Sequence, residues 1–235
     1  MKVLQELTQK NRHDFGDFRE IIRILRSENG CSWDKEQTHK SLRNSLVEET
    51  YEAVEAIDNE SASQLKEELG DILLQIFFHA RISEECGDFN IDDVCDEICK
   101  KMIIRHPHIF SDLSEENLSS LQAQSSWENV KIKEKGYIDT KEYIESTAKS
   151  LPSLMRAEKI QKRLVKRGVA KNPGSNDIVR GIKTTVESID STNITTELIG
   201  EALYKIVSLA IDNGIDSEQA LYGYNNKTIE LSFCD

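Results

Sequence analysis

Long stretches of this chain place apolar residues three and four apart, the spacing that gives a helix one apolar side. Residues 14–27 read as a helix with Phe18, Ile21, Ile22 and Leu25 on one face. The segment ENGCSWDKEQTH (28–39) then reads as a loop, rich in Gly, Ser, Asn and Asp. A second helix is expected over 41–57, striped by Leu42, Leu46, Ala53 and Ile57. Asn59 and Glu60 make the turn, and Ser61 with Gln64 matches a capping box that starts a third helix, 61–86. That helix carries a wide apolar stripe (Leu65, Leu69, Ile72, Leu73, Ile76, Phe77, Ala80) and Gly87 suits its stop. A fourth helix, 91–105, follows an Asn90 cap and runs into an HPH turn. Residues 112–150 are polar and predict one exposed helix plus a linker; 151–167 predict a helix with a basic end.

The pattern also repeats. EELGDILLQIFFHA (67–80) aligns with ELIGEALYKIVSLA (197–210), and each is followed by an acidic capped turn and another helix. The copies differ in their acids. Glu68 is matched by Leu198 and Asp71 by Glu201, while VESID (186–190) offers one or two acids where the first copy has VEETYE (47–52). The second copy reads as degenerate.

Four acids of the first copy are mirror-symmetric about residue 60. Folding the two helices back on one another sets Glu49 level with Asp71 and Glu52 level with Glu68. Glu49 and Glu52 are three apart on one helix face, as are Glu68 and Asp71. Four like charges so gathered repel unless a cation holds them. Glu49 falls in the spacing of the apolar stripe, so it points near the seam between the helices. Gly70 costs its helix about 1 kcal/mol relative to Ala, which hints at a close approach there. All-oxygen ligands without His point to Mg²⁺, with Mn²⁺ as substitute, rather than zinc. The Glu-x-x-His pairs of a di-iron bundle are missing, as is an EF-hand loop. Mg²⁺ typically bridges to phosphate oxygens, which makes a nucleotide or other polyphosphate the natural substrate class.

Other residues carry weaker signals. Lys101 and Arg105 share a helix face and could meet phosphate, though taken alone an exposed basic helix end explains them better. Trp33 and Trp127 could each stack on a base or simply pack. His39, His79, His106 and His108 suggest nothing as a set, and His79 reads as a hydrogen-bonded core residue. No Walker loop and no GxSxG elbow occurs, so nucleophilic serine or cysteine catalysis has no support.

Bulk composition narrows the classes. With 235 residues, 38% hydrophobic and 31% charged, the chain suits one large or two small helix-rich domains. No apolar run reaches a bilayer span, and MKVLQELTQKNRHDF lacks an apolar signal core, so neither membrane nor export is expected. Five cysteines (31, 86, 95, 99, 234) make no zinc-type pair, and an odd number argues against a disulfide framework. Cys95 and Cys99 share a face and read as buried thiols. A cytoplasmic setting follows as the expectation. Net charge of −12 disfavours nucleic acid as partner but allows a small phosphorylated ligand.

Taken together, GCSWDKEQTHKSLRNSLVEETYE (30–52) resembles the opening of the MazG family of nucleoside triphosphate pyrophosphohydrolases. The family's EExxE…ExxD signature reads here as Glu48-Glu49-x-x-Glu52 and Glu68-x-x-Asp71. FFHARISEECGDFNIDDVCDEICKKMIIRHPHIF, SSWENVKIKEKG and SLPSLMRAEKIQKRLVKRGV continue the match, so the resemblance covers nearly all of 15–170. It implies an all-α helical bundle of two tandem MazG-like units, completed by dimerisation: a catalytic unit at 1–112, a polar helical connector at 113–150 and a degenerate unit at 151–235. The implied reaction is hydrolysis of nucleoside triphosphates between the α and β phosphates, to monophosphate and pyrophosphate. Glu49, Glu52, Glu68 and Asp71 would hold Mg²⁺; Glu48 and Glu52 would be the catalytic pair, with Glu48 helping to position or deprotonate the attacking water. Lys101 and Arg105 would contact phosphate, and Trp127 would lie near the nucleotide. Ser32 stands where the family usually shows Pro, and Ile104 replaces the first Arg of RRHPH. Two alternatives stay open: a narrower pyrophosphohydrolase of the dUTP or phosphoribosyl-ATP type, and a non-catalytic nucleotide-sensing or interaction protein on the same scaffold.

Overall fold

A computed structural model describes residues 2–111, 119–137, 139–171, 173–189 and 193–233. Among the described residues every regular element is a helix. They are α1 (Lys2–Gln9), α2 (Phe15–Leu25), α3 (Ser32–Glu36), α4 (Arg43–Asp58), α5 (Ala62–Cys86), α6 (Ile91–Arg105), α7 (Pro107–Phe110), α8 (Ser120–Lys135), α9 (Thr140–Glu145), α10 (Ser153–Lys166), α11 (Ser175–Glu187), α12 (Thr196–Asp212) and α13 (Ser217–Phe233). The chain divides into two compact units, residues 1–126 and 127–235.

In the first unit α4 and α5 form a hairpin, and α2 and α6 pack on α5. The ends of these helices are written in the sequence. Asp14 caps α2 and Asn90 caps α6, each in a complete capping box with an Asp three residues on. Gly87 stops α5 in the left-handed conformation at φ 79°, where a side chain would be strained. At the hairpin turn Ser61 Oγ accepts from the Gln64 N–H at 3.4 Å. The reciprocal half of the expected box is replaced: the Ser61 N–H donates to the Ala56 carbonyl at 3.0 Å, so the turn's backbone supplies the bond.

Buried Ile22, Leu42, Phe77, Phe78 and Ile82 form the first unit's core, flanked by Phe18, Leu25, Leu73, Leu74 and Ile91. Ala53 and Ala56 are the buried residues of α4, small enough to let it lie close against α5. The wide stripe read along α5 serves only partly: Leu69 and Ile76 face solvent, as does Ile57 of α4. A periodic stripe shows which residues share a side, not how much of that side finds a partner. Gly70 departs from expectation, since a Cβ there would meet nothing within 4 Å. Cys95 and Cys99 are exposed rather than buried, with the Cys95 thiol pKa raised by its hydrogen bond to Cys99. Cys234 lies outside the described residues.

The loop after α2 is fastened rather than free. Arg26, its side chain only 5% exposed, pairs with Glu85 of α5 at 2.8 Å and donates to the carbonyls of Asp34 and Gln37. Glu85 also pairs with Arg81, so one carboxylate is shared by two guanidiniums.

The second unit repeats the plan. α11 and α12 pair, with α10 and α13 packed on α12. α9, from the segment expected to be a polar connector, is built into this unit. Tyr143 is 1% exposed, and the Arg163 guanidinium lies over its ring at 4.3 Å while donating to the Tyr143 carbonyl and to Thr147 Oγ1. Residues 112–118 of that segment lie outside the described residues.

Candidate metal and active site

The hairpin brings the acids of α4 and α5 together. One carboxylate oxygen from each of Glu49, Glu68 and Asp71 lies within 4.8 Å of the others, and all three residues are half-buried. Glu49 reaches this position because it follows Leu42 and Leu46 and precedes Ala53 and Ala56 on the packed face of α4. Glu52 is more exposed, yet its carboxylate is among the causes that raise the pKa of both Glu49 and Glu68. The mirror pairing of the sequence appears in the electrostatics. The strongest charge felt by Glu49 is that of Asp71, and the strongest felt by Glu68 is that of Glu52.

Both Glu49 and Glu68 have pKa values raised above the ordinary carboxylate range. Desolvation is the largest cause for each, and the neighbouring acids add to it; for Glu68 these include Glu67 beside Glu52 and Asp71. Such a gathering of carboxylates suits a divalent cation, which relieves their mutual repulsion. Its donors are all carboxylate oxygens, which match a hard ion such as Mg²⁺ or Mn²⁺ better than zinc.

The second copy solves the same problem differently. Glu201, at the place of Asp71, accepts from Lys205 Nζ at 2.6 Å, and Lys205 also donates to Thr185 Oγ1 at 2.7 Å. The ammonium, with the Thr185 hydroxyl, pulls the Glu201 pKa down, opposite to Glu49 and Glu68. A covalently attached cation takes the role that a free one is needed for in the first copy. Asp190, the further acid read in this copy, lies outside the described residues.

The other anticipated residues are placed less uniformly. Glu48 is exposed on α4. Lys101 of α6 is half-buried and paired with Glu97. Arg105 is only 7% exposed, which corrects the picture of an exposed basic helix end. Trp127 opens the second unit, half-buried beneath the Lys131 ammonium at 5.0 Å from its ring. Trp33 is 63% exposed on α3.

Sequence reasoning passed over one feature. Asp71, Gln75, His79 and Ser83 recur every four residues among the apolar side chains of α5, forming a polar stripe that starts at the acids. Gln75 is 6% exposed, and its Oε1 is buried without a hydrogen-bond partner. His79 Nδ1 lies 2.8 Å from His39 Nδ1, and His39 Nε2 lies 3.3 Å from Ser83 Oγ. Burial first, then the charge of His39, lowers the His79 pKa. The four-residue spacing was the available signal, and the histidines gain meaning only as this cross-loop pair.

Comparison with known proteins agrees with the geometry. Residues 37–110 match the model of the MazG nucleotide pyrophosphohydrolase domain. The chain is 38% identical to the Thermotoga maritima nucleoside triphosphate pyrophosphohydrolase/pyrophosphatase MazG, over 91% of this chain and 83% of that protein. It is 37% identical to the Escherichia coli K12 nucleoside triphosphate pyrophosphohydrolase, over 88% of this chain and 81% of that protein. To the uncharacterized protein YabN of Bacillus subtilis it is 47% identical over 64% of this chain, which spans only 30% of that longer protein.

Proposed function

We propose a function from the premise that the chain belongs to the MazG family of nucleoside triphosphate pyrophosphohydrolases: it hydrolyses nucleoside triphosphates, ribo or deoxy, between the α and β phosphates. The products are the nucleoside monophosphate and pyrophosphate, and the role is upkeep of the nucleotide pool in the cytoplasm. The observation that carries this is the cluster of Glu49, Glu68 and Asp71, which share a space of a few ångströms with two carboxyl pKa values raised.

Glu49, Glu52, Glu68 and Asp71 are the residues that would hold Mg²⁺, with Mn²⁺ as substitute; when bound, the ion neutralises charge on the triphosphate and on the departing pyrophosphate. Glu52, whose charge raises the pKa of Glu49, and Glu48, exposed beside it on α4, are the carboxylates we assign to orienting the attacking water and taking its proton. Lys101 exchanges its ion pair with Glu97 for a phosphate oxygen. Arg105 contributes positive charge from a buried position rather than as an exposed contact. For Trp127, placement near the base rests on the family resemblance alone. Leu69 and Ile76 of α5 with Val47 and Tyr51 of α4 leave apolar side chains in solvent, which supports a homodimer that covers them.

The test is a panel of canonical and damaged ribo- and deoxynucleoside triphosphates, incubated with the purified protein with and without Mg²⁺. Metal-dependent release of pyrophosphate with monophosphate is expected, and the panel ranks the bases. Release of orthophosphate would refute cleavage between α and β. Absence of turnover across the panel would shift the assignment to the narrower enzymes or to a nucleotide-sensing protein.

A further inference from the structure

The two units differ in the segment joining their first packed helix to their hairpin. α10 packs on α12 as α2 packs on α5. In the first unit, residues 26–42 form a long connection containing α3, fold over α5, and bury Leu42 against Phe77 and Phe78. In the second unit the connection shrinks to residues 167–174. The repeat register places Tyr204 where the first copy has Leu74, and Ser208 where it has Phe78. Phe78 is 4% exposed in its core. Tyr204 and Ser208 instead line an open pocket of about 380 Å³ between α10 and α12. The shortened connection has left uncovered a space that its counterpart fills.

This space carries a particular chemistry. Gln161, 8% exposed, lines the pocket. Its Nε2 donates to the Tyr204 carbonyl at 2.8 Å, and its Oε1 accepts from Ser208 Oγ at 2.6 Å. These bonds hold both side chains while leaving the second amide N–H and the hydroxyl lone pairs for a ligand. Val165 and the Tyr204 ring supply apolar wall, and burial raises the Tyr204 pKa, so the phenol stays neutral. Lys166 and Lys171 also line the pocket, and among the described residues neither pairs with a carboxylate. Lys162, by contrast, is tied to Glu158 at 2.5 Å.

An aromatic wall, a fixed amide and hydroxyl, and two available ammonium groups suit a flat heterocycle bearing one doubly charged anion. The size lies in the ordinary range for small-ligand pockets. We propose that the second unit is a binding site for a nucleoside monophosphate, with its base against Tyr204, the base edge on Gln161 and Ser208, and its phosphate on Lys166 and Lys171. The unit that lost its acid cluster thereby reads the class of molecule the first unit is assigned to release. Occupancy of this site does not depend on turnover in the first unit.

Isothermal titration of the full-length protein with AMP, GMP, CMP and UMP, in chelator, tests this. At least one monophosphate is expected to bind about ten-fold more tightly than its nucleoside or inorganic phosphate alone. The double variant Lys166→Glu/Lys171→Glu, both positions exposed, should weaken that binding about ten-fold or more. Ser208→Trp, which fills the pocket, should abolish it, while Asp71→Asn should leave it unchanged. Failure of all four nucleotides to bind would overturn the proposal. So would binding that survives the lysine double variant, or that disappears in Asp71→Asn, which would place the ligand at the acid cluster. Circular dichroism of each variant separates lost binding from lost fold, and the lysine variant decides the matter if Ser208→Trp does not fold.

Discussion

Glu49 and Glu68 are half-buried with like charge near, so each binds its proton more tightly in the folded chain than it would in the unfolded one. The sign of the consequence follows from linkage. A carboxyl with a raised folded pKa costs the fold nothing while protonated, and destabilises it increasingly as pH rises from the ordinary carboxylate range through the raised value. In chelator, Glu68→Gln should therefore melt higher than the parent at about pH 8, and the difference should vanish near pH 4. A difference independent of pH would show that Glu68 is not strained by its neighbours. With metal present the same residues are needed rather than tolerated: Asp71→Asn or Glu52→Gln should lower turnover about a hundred-fold or more while helical content is kept. Near-parental hydrolysis in either variant would sink the assignment of these acids. Their mirror spacing was legible in the sequence because position along two adjacent helices fixes which residues stand level. The burial of Arg105 and the pairing of His39 with His79 were not, because each depends on segments brought from elsewhere in the chain.

At the scale of elements, α5 is the organising piece: it carries half of the acid cluster, most of the first unit's core and a polar stripe. Its ends are fixed locally by Ser61 and by Gly87, and local signals of that kind survive any change of tertiary context. Its faces are a different matter, since Leu69 and Ile76 satisfy the helical period as well as Phe77 does and yet stay in solvent. Gly70 is exposed as well, and an added methyl group there meets nothing. Gly70→Ala should raise stability by about 0.5–1 kcal/mol through helix propensity, measured by thermal or denaturant unfolding. A loss of stability instead would reveal that another surface lies against Gly70 in solution, the close approach the bare sequence suggested.

For the molecule as a whole, two copies of one helical plan have been resolved in opposite ways. The first keeps an acid cluster that calls for a free cation; the second closes it with Lys205, which also bonds the buried Thr185. Glu201→Gln should accordingly leave nucleotide hydrolysis unchanged, and a large fall in the metal-dependent rate would show that the second copy takes part in the reaction. The sequence read residues 28–39 as a loop, where α3 forms instead. By itself it determined the helices α2, α4, α5, α6 and α10, the caps at Ser61, Gly87 and Asn90, the family, and the grouping of Glu49, Glu68 and Asp71. All of these follow from local spacing or from matching residues in order, and local backbone geometry converts such spacing directly into shared faces. Tertiary structure decided the rest: which sides of α4 and α5 are covered, that α9 belongs to the second unit, that Lys205 neutralises Glu201, and that a pocket opens where the connection after α10 is short. Burial and charge pairing are set by what each residue meets across the fold, and that is fixed only when distant segments pack.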